Sequence, residues 1–196
     1  MLRRTDRGHY LRQQRARGSS LVELIMFIVI IGIAVAGVLG AMSLSTRASA
    51  DPLIQKQALA IAEAYLEEVL AMPFTYCDPD DVDAATATSA TVGAGACATT
   101  VEVIGAELGE TRGGGTTPYD NVNDYNSLAT GVPASIDGTA ISGLSAYSVS
   151  VAVVAESLST VAAPASLRVT VTVTGPSSTS VRLDGYRTRY APNALP

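Results

Sequence analysis

Few residues in this chain can do chemistry. The only histidine, His9, lies in an arginine-rich N-terminal stretch, so neither a Ser–His–Asp or Cys–His arrangement nor a histidine-bearing metal site is expected in the main body. Two cysteines, Cys77 and Cys97, follow the apolar part of the chain. In an oxidising compartment they would pair, closing a loop comparable to one worth about 3 kcal/mol in the chain-entropy model. Two acidic stretches remain. Asp78, Asp80, Asp81 and Asp83 crowd together, and Asp120-Asn121-Val122-Asn123-Asp124 follows Gly113-Gly114-Gly115. Oxygen-rich loops of this kind invite calcium, but neither matches the D-x-[DN]-x-[DN]-G loop. Acidic turns on a solvated surface are the simpler reading, and no metal ligand or cofactor is assigned. Paired acids also serve glycoside hydrolysis, yet these sit in loops or on a helix surface. No catalytic residue is assigned, and enzymatic activity is not expected.

One further acid stands apart. Glu23 precedes a run from Leu24 to Thr46 without a single charge, 23 residues in all. As a helix that run would extend about 34 Å, enough to cross a hydrocarbon core of about 30 Å. An ionisable side chain at the mouth of a span is costly and is commonly paired or functional. The plainer alternative is a carboxylate that snorkels to the interface.

Charge is divided sharply around this span. Residues 1–18 hold six arginines against one acid, net +5, and the other 178 residues hold seven basic and 17 acidic groups, net −10. Basic residues before the span and few after it place the N-terminus in the cytoplasm and the remainder outside. An acidic body repels phosphate backbones, so no nucleic-acid partner is expected. A secretory signal peptide is the competing reading, with small-x-small sites at Ala34-Val35-Ala36 and Ala48-Ser49-Ala50. The first would leave Glu23 interrupting the apolar segment, and the second follows an apolar stretch longer than such segments usually have.

The residues Gly18-Ser19-Ser20-Leu21-Val22-Glu23, with the apolar continuation LIMFIVIIGIAVAGVL, resemble the processing signal of type IV prepilins. In that family a dedicated peptidase cuts after the glycine on the cytoplasmic side, here between Gly18 and Ser19. The fifth mature residue is a glutamate, the place held by Glu23. The resemblance implies that the new α-amine pairs with this glutamate as a subunit joins its neighbour, setting axial register. It also implies methylation of that amine. The family usually begins its mature chain with phenylalanine or methionine, where this chain has Ser19.

Beyond the span, Asp51-Pro52 predicts a bend, because proline removes a helical hydrogen bond. The next segment has Ile54, Ala58, Ile61, Tyr65, Val69 and Met72 at spacings of three and four, the apolar face of a helix that packs on the protein's own sheet. Pro73 closes it. Leu167, Val169, Val171 and Val173 alternate with polar residues, as do Tyr147, Val149, Val151 and Val153, the pattern of half-buried antiparallel strands. Gly175-Pro176-Ser177-Ser178 supplies a turn into a partner strand that starts at Val181 and Leu183, with Asp184-Gly185 marking a bulge or the end of pairing. An earlier strand is expected near Thr99–Ile104. The expected class is α+β. A leader at 1–18 is followed by one long helix, with a transmembrane half at 19–46 and an outer half at 47–73. That helix packs on a small antiparallel sheet in a globular periplasmic domain at 74–196, with a disulfide-closed loop at 77–97.

The segment QALAIAEAYLEEVLAMPFTYCDPDD and the later YDNVNDYNSL are similar to minor pilins of mannose-sensitive haemagglutinin (MSHA) pili. The resemblance implies a subunit that starts, caps or decorates a pilus by inserting its N-terminal helix into a growing stack. Its implied partners are other pilin subunits, a prepilin peptidase and an inner-membrane assembly platform. Its implied location is the bacterial inner membrane and then the pilus at the cell surface. A pseudopilin of a type II secretion system shares the same N-terminal pattern, and an adhesion module at a pilus tip is compatible with it.

Overall fold

The computed structural model describes residues 20–195; the 1–18 leader and the Gly18–Ser19 junction lie outside the described residues. The chain divides into two compact units, Met1–Ala48 and Ser49–Pro196. Helix α1 (Leu21–Ala71, 51 residues) contributes to both. Its entry is fixed by Ser20, whose carbonyl accepts from Leu24 N–H at 3.2 Å and whose hydroxyl accepts from Glu23 N–H at 3.3 Å. A serine hydroxyl satisfying an otherwise orphaned first-turn donor is the usual start of a helix. Helical assignment continues through Pro52, so the bend expected there does not end the element; proline removes one donor and the neighbouring turns carry the helix on. The helix stops at Ala71, where Met72 N–H turns back to Val69 O at 3.2 Å and Pro73 cannot continue the ladder.

The second unit holds a three-stranded antiparallel sheet in the order β1-β2-β3, with β1 at Ser148–Ala155, β2 at Ser166–Thr174 and β3 at Ser180–Thr188. Register follows from the apolar alternation: Val149, Val151 and Val153 stand opposite Val173, Val171 and Val169. Val171 and Val173 then stand opposite Leu183 and Val181. One face of valines is thereby buried together with Ala58, Ile61, Ala62, Tyr65 and Val69 of α1, and with Tyr125 and Phe74. Each fully buried Val or Leu contributes about 1.5–3 kcal/mol, so this α1–sheet interface is the core of the unit. The protein is α+β, an N-terminal helix with a small antiparallel sheet.

Two local expectations are corrected. Asp184-Gly185 does not end pairing, since Asp184 stands opposite Thr170, Gly185 opposite Val169, and the ladder runs on to Thr188. Residues 99–104 form no strand, only a bridge between Cys77 and Val101. The reason lies in Asp81, whose carboxylate accepts from the N–H groups of Ala98, Thr99 and Thr100 at 2.7–2.9 Å and so removes them from any ladder. Cys77 and Cys97 are joined by a disulfide, Cα to Cα 5.4 Å, in a small buried cluster with Ala84 and Ala87.

Candidate functional site

Two places in the chain gather groups that can act. The first is the N-terminal part of α1. Leu21–Ser45 spans 25 residues with a mean hydropathy of 2.9, and its large side chains, Leu24, Phe27, Ile30 and Leu39 among them, are exposed around the whole helix. A helix apolar on every side needs lipid or other apolar helices around it. Its backbone is satisfied internally, as a span requires. Glu23 lies in its first turn, three residues after Ser20. That is the spacing of a capping box, and a carboxylate there also complements the helix dipole. Glu23 therefore has a local part to play at the helix start besides the assembly role expected of it.

The second place is a set of carboxylates in the Ser49–Pro196 unit. Oxygens of Asp78, Asp80 and Asp120 lie within 4.8 Å of one another, as do those of Asp78, Glu107 and Glu110, and those of Glu102, Glu107 and Asp124. The two acidic stretches of the sequence thus meet in space, and they meet around three glutamates. Several members are not on a solvated surface: Asp78, Glu102 and Asp124 are buried, and so is Asp81 outside these groups. Asp80 and Asp83 are exposed as expected.

Their surroundings set them apart from one another. Asp81 is a structural hub. The N–H groups of Thr100, then of Ala98, Thr99 and Asp83, hold its carboxyl well below the usual carboxylate range, against the opposing effect of burial. Burial pushes Glu102 up to about 10, with Asp124 and Glu107 adding repulsion. It likewise pushes Glu107 up to about 8, Asp120 to about 7 and Asp124 to about 6. Asp124 is positioned by its own loop, where Oδ2 accepts from Asp120 N–H at 3.0 Å and Asn121 N–H at 2.7 Å. Asn121 in turn donates to Thr75 Oγ1 at 2.5 Å, and Asn123 donates through Nδ2 to the Val103 carbonyl.

No protein-family model, curated protein or solved structure matches this chain. What stands without them is coarse and physical. Among the described residues there is one helix, near the N-terminus, long and apolar enough to cross a membrane, in the manner of an anchor or a signal sequence, and an α+β unit that carries the Cys77–Cys97 disulfide.

Of the residues singled out in the sequence, Cys77 and Cys97 are brought together and Glu23 lies at the helix start. Gly18 and Ser19 lie outside the described residues. Sequence reasoning missed Glu102, Glu107 and Glu110. The available signal was Glu102 itself, a lone acid inside Val101-Glu102-Val103-Ile104. Burial there is inverted, with Glu102 7% exposed while Val103 and Ile104 are 56% and 44% exposed. A surface hollow of about 680 Å3 lies near Lys56, Leu59 and the β2–β3 turn; Lys56 is its one ionisable lining group, so it offers no acid–base pair.

Proposed function

We propose that this chain is a minor type IV pilin of the MSHA type, cleaved between Gly18 and Ser19 and inserted through its N-terminal helix into a pilus. The observation that carries this reading is a coincidence at one helix start. A basic leader ends in glycine, and the first turn of an all-apolar helix holds a lone glutamate five residues later. An ordinary anchor needs the apolar helix and can use a first-turn acid as a cap, but it does not call for a glycine-ended basic leader at that fixed spacing from the acid.

In mechanism, the apolar helix holds the subunit in the inner membrane with the acidic, disulfide-closed unit on the periplasmic side. Cleavage leaves a positive α-amine four residues from Glu23. Within apolar surroundings opposite charges attract strongly and an unpaired charge is expensive, so a helix entering the stack is favoured in the register that pairs amine and carboxylate. The exposed apolar side chains from Leu24 to Leu44 supply contact with neighbouring helices but no unique register by themselves. The ion pair supplies it.

Affinity purification of a tagged full chain from its native cell tests the assignment. Recovery with other pilins in sheared surface filaments supports it. Recovery with the subunits of a secretion system instead would make the chain a pseudopilin, and recovery alone from the membrane would contradict both.

A further inference from the structure

Burying a carboxylate away from any partner is among the costliest things a fold can do. Glu102 does this with both of its oxygens, and the half-buried Glu107 and the buried Asp124 bring oxygens within 4.8 Å of it and of one another. Glu102 is 7% exposed and Asp124 is 0% exposed. Both Oε atoms of Glu102, Oε1 of Glu107 and Oδ1 of Asp124 are buried and accept no hydrogen bond. Ion pairs among the described residues go to Glu68, Glu156 and Asp184, not to these three acids. Arg189, stacked 4.0 Å above the Phe74 ring, interacts with Glu102 only at longer range.

Protons or a cation can neutralise such a group. A proton on Glu102 neutralises that group alone and leaves the oxygens of Glu107 and Asp124 converging on it. A cation takes one lone pair from each of several converging oxygens at once. Chain placement agrees with this, since Glu102 and Glu107 come from one stretch, Asp124 from another, and Asn123 Nδ2 bonds Val103 O to join them. Asp124 Oδ2 is already held by two backbone donors, which fixes the orientation of the free Oδ1.

We propose that Glu102, Glu107 and Asp124 form a calcium site, binding through Glu102 Oε1 and Oε2, Glu107 Oε1 and Asp124 Oδ1. The donor set is all oxygen and carboxylate-rich, without histidine or thiolate. That excludes a zinc-type site and suits a hard cation. Several protein carboxylates converging on one point suit calcium, with its six to eight ligands, better than magnesium, which keeps most of its waters. Asp78 and Glu110, within 4.8 Å of Glu107, add negative field beside it. The ion clamps residues 102–107 to the turn at Asp124–Ser127. This site is independent of the filament reading.

The test uses the full-length chain in detergent, stripped with a chelator and then titrated with calcium chloride by calorimetry and thermal unfolding, with magnesium chloride in parallel. Expected are saturable binding of one calcium per chain and a rise in Tm of about 5 °C, with magnesium giving much less. Glu102→Gln, close in shape but uncharged, should abolish both, whereas Glu63→Gln on the exposed face of α1 should keep them. Near-UV circular dichroism in chelator checks that E102Q is folded; should it unfold, E107Q makes the same comparison. Absence of calcium binding, equal binding by E102Q or E107Q, or an equal effect of magnesium would overturn the proposal.

Discussion

Glu68 on α1 and Arg112 in the long loop form a two-pronged ion pair, Nε to Oε1 at 2.7 Å and Nη2 to Oε2 at 2.6 Å. Their side chains are only 19% and 10% exposed, respectively. The pair is the centre of a wider network. Arg112 Nη1 donates to Ala134 O at 2.9 Å and its guanidinium lies 4.5 Å above the Tyr65 ring. Tyr125 donates to Glu68 Oε1 at 2.9 Å. Glu68 therefore joins the helix to residues 112, 125 and, through Arg112, 134.

Arg112→Met removes one partner of a largely buried pair and leaves Glu68 with an uncompensated charge. Such losses cost about 3 kcal/mol. Urea unfolding should show a lower midpoint with an unchanged slope, and E68Q/R112M together should recover part of the loss. If R112M unfolds at the wild-type midpoint, the network is not a stabilising one.

Asp81 gives the unit a dependence on acid. Its carboxyl is held well below its ordinary value by the backbone donors of Thr100, Ala98, Thr99 and Asp83. A depressed folded pKa contributes stability that is present above the unfolded value, about 3.9, and is lost as pH falls through the folded pKa. Asp81→Asn should therefore lower stability at neutral pH, by about 2 kcal/mol for the donors left poorly matched, and should flatten the fall in stability below about pH 4. An acid limb as steep in D81N as in wild type would assign that limb to other groups.

Gly185 faces the helix so closely that a Cβ there would lie 2.9 Å from Leu70 Cδ1 and 3.1 Å from Leu66 Cδ1. Alanine asks only the ends of two leucines to move. Valine asks for more, and Gly185→Val should destabilise by about 2 kcal/mol, a typical cost of overpacking. Thermal unfolding checks it, and a G185V chain as stable as G185A would mean that the helix and β3 are less tightly packed here.

The elements were legible where one period ruled them. Alternation from Leu167 to Val173 yielded β2, and the three- and four-residue spacing from Ala58 to Val69 yielded the buried face of α1. Long-range polar chemistry was not legible. Glu68 and Arg112 are 44 residues apart, and nothing local to either shows that they meet. The strand expected at 99–104 failed because Asp81, distant in sequence, takes the backbone donors that a ladder needs. The carboxylate cluster stayed hidden for the same reason: its two acidic stretches read as separate turns, and Glu102 read as one strand residue. Asp184-Gly185 misled in the other direction. The glycine is there for the close approach of Leu66 and Leu70, not to end the strand.

Glu23 has two roles that substitutions can separate. Glu23→Gln keeps a side chain able to complete a capping box with Ser20 but removes the charge, whereas Glu23→Leu removes both. If register depends on pairing with a new amine, E23Q and E23L should both insert in the membrane and both fall at least about tenfold in filament incorporation, the change that about 1.4 kcal/mol produces. Incorporation of E23Q at the wild-type level would reduce Glu23 to a helix cap.

The central claim is that the chain enters the prepilin pathway, and the intact mass and N-terminal sequence of the membrane-extracted protein test it most directly. The chain is expressed with and without a prepilin peptidase. The account predicts an N-terminus at Ser19 that appears only with the peptidase, alone or with the mass of one methyl group. An N-terminus at Gly37 or Asp51, formed regardless of that peptidase, would mean an ordinary signal sequence and would contradict the filament reading.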